Sequence, residues 1–384
     1  MKKNIILIYI YTFLSTFILF YAVDTLFYLE RGISSSGYIL FTVISCFVQM
    51  ILEIPCGVIA DKYDKKKILI LSNSLFIISI IIFILSKNYL LFVIATIINT
   101  IDRSLVTGIS NTIIYESLEN RNDFNKCLFY KTSSYNISYM IAMIIGGYLG
   151  QHISLVSTYY FTLIPMFLNF IIIFLLKNIN VKNEEHCNYN NIYIFKNAIT
   201  EINKSYIIRS SIITGAVLFS ILFIVEQSHP DYAVNIGINA FGVGLYTAVL
   251  LIFSIIGSYV GSKIESKYHR TLLLINPIII GLFILLIGIL NNKLGILFLL
   301  LIYIFSESYD NIMFSKVHHN ISSKSRVTVE SVVSMLQSFC GIVFGIAITV
   351  ILRYLEVYQS YYILGILIMV YGFMNVVFSY KKIN

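Results

Sequence analysis

Charge is what this sequence lacks most: 12% of its 384 residues are Asp, Glu, Lys or Arg, about half of what a soluble surface carries. With 58% apolar residues and a mean hydropathy of +0.84, that shortage excludes a soluble enzyme. Cysteine is scarce as well. Cys46, Cys56, Cys127, Cys187 and Cys340 show no C-x-x-C spacing and none is placed in an outward loop, so neither a disulfide framework nor a structural zinc site is expected. Catalytic signatures are missing too. No G-x-S-x-G, H-E-x-x-H or G-x-x-x-x-G-K-[ST] run occurs, so the sequence predicts no enzyme activity, no metal, no cofactor and no direct use of ATP. Tryptophan is absent altogether, which leaves 29 Tyr and 28 Phe to supply the aromatic rings.

What is present is a series of apolar runs long enough to cross about 30 Å of hydrocarbon. Twelve fall at about 4–28, 36–60, 68–86, 89–118, 125–150, 153–176, 207–229, 236–262, 271–290, 294–318, 327–352 and 358–380. They are continuous rather than alternating, so they predict helices and not barrel strands. Met1-Lys2-Lys3 begins like a signal sequence, but the apolar run to Phe20 shows no A-x-A-like cleavage site and reads as a retained first helix. The longest connection divides six spans from six. The expected organisation is an N-terminal six-helix half at 1–176, a cytoplasmic linker at 177–206 and a C-terminal six-helix half at 207–384. Within the linker, Ile192–Ile208 has the apolar spacing of a helix lying on the membrane surface, and His186-Cys187 reads as plain linker.

The cations fix the orientation. With the N-terminus inside, only Arg31, Lys87, Lys293 and Arg353 fall outside and Arg103 falls within the fourth span; the remaining Lys and Arg, Lys131 among them, are placed in the cytoplasm. Positive residues gather on the inner side, so both termini are expected there. The net charge of +8 is then a topology signal, and nucleic acid is not an expected partner. Crowding of Ile, Asn, Lys and Tyr matches AT-rich coding, and the expected location is a bacterial cytoplasmic membrane.

Between the second and third spans stands Gly57-Val58-Ile59-Ala60-Asp61-Lys62-Tyr63-Asp64-Lys65-Lys66-Lys67, and between the eighth and ninth a weaker echo, Gly261-Ser262-Lys263-Ile264-Glu265-Ser266-Lys267-Tyr268-His269-Arg270. A glycine, an acid four residues on and then cations, at the same point of each half, indicate internal duplication. Here the chain resembles the major facilitator superfamily, whose loop between spans two and three reads G-x-x-x-D-[RK]-x-G-[RK]-[RK]. Gly57, Asp61, Lys62, Lys65 and Lys66 match, while Asp64 stands where the family has glycine. Glu53-Ile54-Pro55, Asp102-Arg103-Ser104, Tyr115-Glu116-Ser117-Leu118, and Asn320-Ile321 with Arg326-Val327-Thr328 look like bacterial efflux-type, drug:proton antiporter-like members. The fifth span keeps Gly146-Gly147 and Gly150 but lacks the proline of proton-driven exporters. The resemblance implies an all-α integral membrane fold of twelve helices in two pseudo-symmetric halves. It also implies that Gly57, Asp61, Lys62, Lys65, Lys66, Glu53, Glu116 and Glu330 form an inter-helix latch that holds one conformational state.

Eight acids fall inside predicted spans: Asp24, Glu53, Asp102, Glu116, Glu226, Glu307, Asp310 and Glu330. Each costs at least about 2.5–3.5 kcal/mol at the bilayer centre, so they require a polar interior or partners. On the tenth span Glu307, Asp310, Asn311, Phe314 and His318 recur at three- and four-residue steps and share one face. That face reads as a cavity wall or as buried polar groups that position helices. Asp102 and Arg103 are adjacent and point about 100° apart, so Arg103 is expected to seek an acid on another helix, Asp24 or Glu53. A carboxylate shielded from water holds its proton more readily, and can exchange it when access alternates. Glu307, Asp310, Asp24 and Glu226, in that order, are the proton-coupling candidates, with Asp102, Arg103 and Asn311 in the same cavity.

Together these residues predict a monomeric secondary transporter in the lipid bilayer, exporting a small amphipathic molecule by alternating access with the proton gradient as its energy source. Acids with aromatic rings suit lipophilic cations. Proton-coupled uptake of a nutrient, and a membrane-embedded protein without transport activity, are the alternatives.

Overall fold

A computed structural model describes residues 2–106, 109–118, 123–177, 200, 202, 205–320 and 326–381, and among them every regular element is helical. In chain order these are α1 (Lys2–Thr16), a 3-10 turn (Leu19–Ala22), α2 (Asp24–Glu30), α3 (Ser35–Lys62), α4 (Lys65–Leu85), α5 (Tyr89–Val106), α6 (Ile109–Ser117), α7 (Phe124–His152) and α8 (Leu155–Leu175). After the linker come α9 (Tyr206–Asn235), α10 (Ala240–Lys263), α11 (Ser266–Leu290), α12 (Leu294–Asn320), α13 (Arg326–Ile351) and α14 (Val357–Lys381). Most of the 177–206 linker, His186-Cys187 and the greater part of its surface helix included, lies outside the described residues.

Ten helical stretches among the described residues are long and apolar enough to cross a membrane. Predicted spans one and five are not among them, for different reasons. α7 has the length, 29 residues, but carries Lys126, Lys131, Ser133, Ser134, Asn136 and Ser138 along its first half. The first span is not one helix: α1 stops at Thr16, and the chain passes through the 3-10 turn before α2 resumes. Backbone of this kind is tolerated at membrane depth only where its polar groups find partners inside the protein. Neighbouring helices supply them. The Leu19 N–H donates to Thr162 Oγ1 on α8 at 3.1 Å, and on α7 Ser134 donates to Tyr9 O at 2.9 Å and Ser138 to Phe13 O at 2.5 Å. The polarity of α7 and the irregularity of the first span are thus two sides of one contact. Phe20, within the turn, stacks on the fully buried Tyr159 with centroids 4.2 Å apart.

Helix starts follow the local chemistry. Asp64 sits at φ −56°, so the loop needs no left-handed residue where the family has glycine; its carboxylate instead caps α4 by accepting from the Lys66 N–H at 2.9 Å. Ser154 caps α8 through the Ser157 N–H at 3.2 Å.

The chain packs as two compact units, the first of Met1–Ile33, Phe47–Glu185 and Asn239–Ala248, the second of Ser34–Cys46, His186–Ile238 and Val249–Asn384. α3 and α10 each contribute one end to either unit. In the second unit Gly261 permits a close approach of α10 to α12: a Cβ there would stand 2.9 Å from Ser308 Cα. The echo motif therefore places its glycine where two backbones nearly touch.

Candidate functional site

The first unit holds a cavity of about 390 Å³, lined by α1, the 3-10 turn, α4, α5, α6, α7 and α8. Its wall combines charge with tyrosine. Arg103, exposed on α5, donates from Nη2 to the Tyr21 hydroxyl at 3.1 Å, and its guanidinium carbon lies 5.6 Å from the same ring's centroid. Tyr139 stands 6.3 Å from Tyr21 and stacks on Tyr135 with centroids 5.9 Å apart and planes 5° from parallel. Lys131 donates to Asn111 Oδ1 at 2.6 Å. Asp102 accepts from the Ser72 hydroxyl. Thr12, 4% exposed, also lines the cavity, and its hydroxyl has no hydrogen-bond partner.

Asp102 and Arg103 therefore line one cavity, whose lining does not include Asn311, Glu307, Asp310, Asp24 or Glu226. Lys131, assigned by the sequence to the cytoplasmic side, also lines that cavity on α7. Tyr21, Tyr135, Tyr139, Ser72 and Thr12 were not foreseen. The one available signal was α7 itself, whose lysine and hydroxyl residues at positions 131–138 interrupt a span that should be apolar.

In the second unit, Glu307, Asp310 and Asn311 occupy α12, all half-buried. Asn311 Nδ2 donates to Ser258 Oγ of α10 at 3.3 Å. One residue of the shared face thus meets α10. Glu226 is exposed on α9, Glu53 is half-buried on α3, and Asp24 opens α2 with Oδ1 accepting the Thr25 N–H at 2.7 Å. Another acid of the second unit, Asp231, is buried. Asp231 was placed beyond the seventh span, but α9 continues to Asn235 and leaves Asp231 only 6% exposed. Its Oδ2 accepts from Ser35 Oγ at 2.6 Å and Tyr38 OH at 3.0 Å, and its Oδ1 from Asn235 Nδ2 at 3.1 Å.

Of the latch residues, Lys65 Nζ meets Glu116 Oε1 at 3.1 Å, joining α4 to α6 within the first unit. Lys66 Nζ donates to the carbonyls of Phe174 and Leu176 at 2.7 and 2.9 Å, neutralising the carboxyl end of α8. Gly57, Asp61, Lys62, Glu330 and His318 lie outside the described residues as far as their side chains are concerned.

The family model described as Major Facilitator Superfamily matches residues 5–345. No curated protein matches the chain in sequence. Among solved structures, the chain is similar to the nucleoside transporter NupG at 14% identity, covering 98% of each chain with a TM-score of 0.79. It is similar also to a bacterial homologue of the human lysosomal transporter Spinster, inward-facing and occupied, at 13% identity over 98% of this chain and 96% of that one, TM-score 0.77. A third is a POT family transporter in complex with 5-aminolevulinic acid, at 15% identity over 98% and 96%, TM-score 0.76. At such identities the likeness establishes the fold.

Proposed function

The chain belongs to the major facilitator superfamily, and on that premise we propose that it is a proton-coupled exporter of a small amphipathic molecule in the bacterial cytoplasmic membrane. The cavity of the first unit carries this reading. About 390 Å³ is at the lower end of the range for small-molecule sites, and a wall that mixes charge with tyrosine rings is what an amphipathic solute requires. Substrate binds there, beside Asp102 and Arg103. The proton is carried by Glu307 and Asp310 of the second unit first, and by Asp24 of the first unit or Glu226 of the second only if those two are dispensable. Asp61, Lys62, Lys65, Lys66, Glu53, Glu116 and Glu330 form the latch, with the Lys65–Glu116 pair as its part within the first unit.

Coupling is tested in everted membrane vesicles whose acid interior is reported by a pH-sensitive dye. Addition of a transported compound is expected to release protons from the interior, and the release is expected to vanish in the Glu307→Gln/Asp310→Asn double variant. Persistent coupled accumulation in that variant moves the proton to another acid. Asp61→Asn is expected to impair turnover at unchanged protein level; normal turnover there removes the latch. Uptake is the second reading, with a nucleoside transporter and a POT family transporter among the similar structures. Right-side-out vesicles separate the two, because symport alkalinises the outer medium as substrate enters.

A further inference from the structure

We propose that the molecule recognised in the first-unit cavity is an organic anion, a compound with one carboxylate or phosphate head and a flat or aromatic body, and not a lipophilic cation. The inference rests on the reading of this cavity as the substrate site and adds to it the chemical class.

Four observations converge. First, the charged residues lining the cavity are Arg103, Lys131 and Asp102, so positive charge exceeds negative on its wall. Second, the acid already holds a donor within the protein: Asp102 accepts from Ser72. Third, Lys131 keeps donor capacity: an ammonium carries three protons, and the Asn111 bond at 2.6 Å uses one of them. The guanidinium of Arg103 is a planar fork whose shape fits the paired oxygens of a carboxylate or phosphate. Fourth, the Thr12 hydroxyl is buried in the same wall without a partner, a polar group of the kind that a ligand's oxygen would satisfy.

The body of the molecule is read by tyrosine. Tyr135 and Tyr139 lie nearly parallel, and Tyr21 closes on Tyr139 while holding Arg103. A ring lying along this wall places an acid head toward Arg103 and Lys131. A quaternary ammonium in the same pose would be brought against two fixed cations. A like charge at such short range disfavours binding severalfold even under strong screening.

The test uses the purified full-length protein and three equal sets of ring-bearing compounds of similar size: carboxylates and phosphate monoesters, neutral molecules, and primary or quaternary amines. Thermal stabilisation is expected from members of the acid set. The primary amide of the best acid is expected to bind at least tenfold more weakly to the unaltered protein. In Arg103→Gln and Lys131→Gln the affinity for that acid is expected to fall roughly ten- to a hundredfold, and Lys131→Arg, which keeps the charge, is expected to stay within about threefold. Stabilisation confined to amines, no stabilising acid, equal binding of acid and amide, or acid binding indifferent to both glutamine variants each overturns the proposal. The amide comparison stands even if a variant fails to fold. Counterflow in proteoliposomes then separates the two claims: an acid that binds and is not moved removes transport at this site but leaves the ligand class, whereas a cation that is moved keeps transport and removes the class.

Discussion

One side chain, Tyr21, both accepts a hydrogen bond from Arg103 at 3.1 Å and lies with its ring centroid 5.6 Å from the same guanidinium. The ring stands in the irregular segment of the first span, while Arg103 belongs to α5. The aim of the arginine into the cavity is therefore set by the break in the first helix.

Tyr21→Phe keeps the ring and deletes the acceptor. The loss is expected to be about 1 kcal/mol, near fivefold in substrate affinity, with turnover at saturating substrate close to that of the unaltered protein. Initial-rate transport against concentration gives both quantities. A change in turnover with affinity intact assigns Tyr21 to a later step.

The Leu19–Thr162 bond makes a prediction about stability. Thr162→Val leaves the Leu19 N–H buried and unpaired, a loss of roughly 1–3 kcal/mol, and Thr162→Ser keeps the hydroxyl. Thermal unfolding in detergent is expected to place the valine variant clearly below the serine one. Equal melting of the two would mean that the turn is held by the packing of Phe20 against Tyr159.

Asp231 is surrounded by donors: Ser35, Tyr38 and Asn235 all point hydrogens at its two oxygens. Asp231→Asn turns one acceptor into a donor facing another donor, at a cost of about 1–3 kcal/mol. In the double variant Asp231→Asn/Asn235→Asp the amide at 231 can donate to the carboxylate at 235, so part of the lost stability is expected to return. A double variant less stable than Asp231→Asn alone would contradict this pairing.

At Gly261 the concern is space. Its absent Cβ would stand 2.9 Å from Ser308 Cα and 3.0 Å from Ser308 O, both backbone atoms that cannot rotate away. Gly261→Val is expected to destabilise by about 1–3 kcal/mol through overpacking, seen as a lower Tm and reduced yield. Gly261→Ala should lie between the two.

The hydropathy runs gave the helical elements of the chain, because a run of apolar residues in lipid has one way to satisfy its backbone. The loop motif was legible for the same local reason: cations at a helix start and an acid beside them act over a single turn. Asp64 shows the limit of motif reading, since it stands where the family has glycine and its side chain caps α4. Asp231 was left outside the seventh span because run edges fix a helix end only to within about a turn, and α9 continues to Asn235.

The sequence by itself determined an all-helical membrane chain, the acids and the arginine that must find polar surroundings, and the duplicated loop, all of which follow from composition and short-range spacing. Only the tertiary structure decided that the first span is broken between Thr16 and Asp24. Residues 17–23 contain neither proline nor glycine, and the groups that meet the backbone there, Thr162 at the turn and Ser138 at the last turn of α1, lie more than a hundred positions away. It decided likewise that Lys131 faces Asn111 beside Arg103 and that Asp102 answers to Ser72. Those pairings depend on which faces α4, α5, α6 and α7 turn toward one another, and helical periodicity defines each face without naming the helix that will meet it.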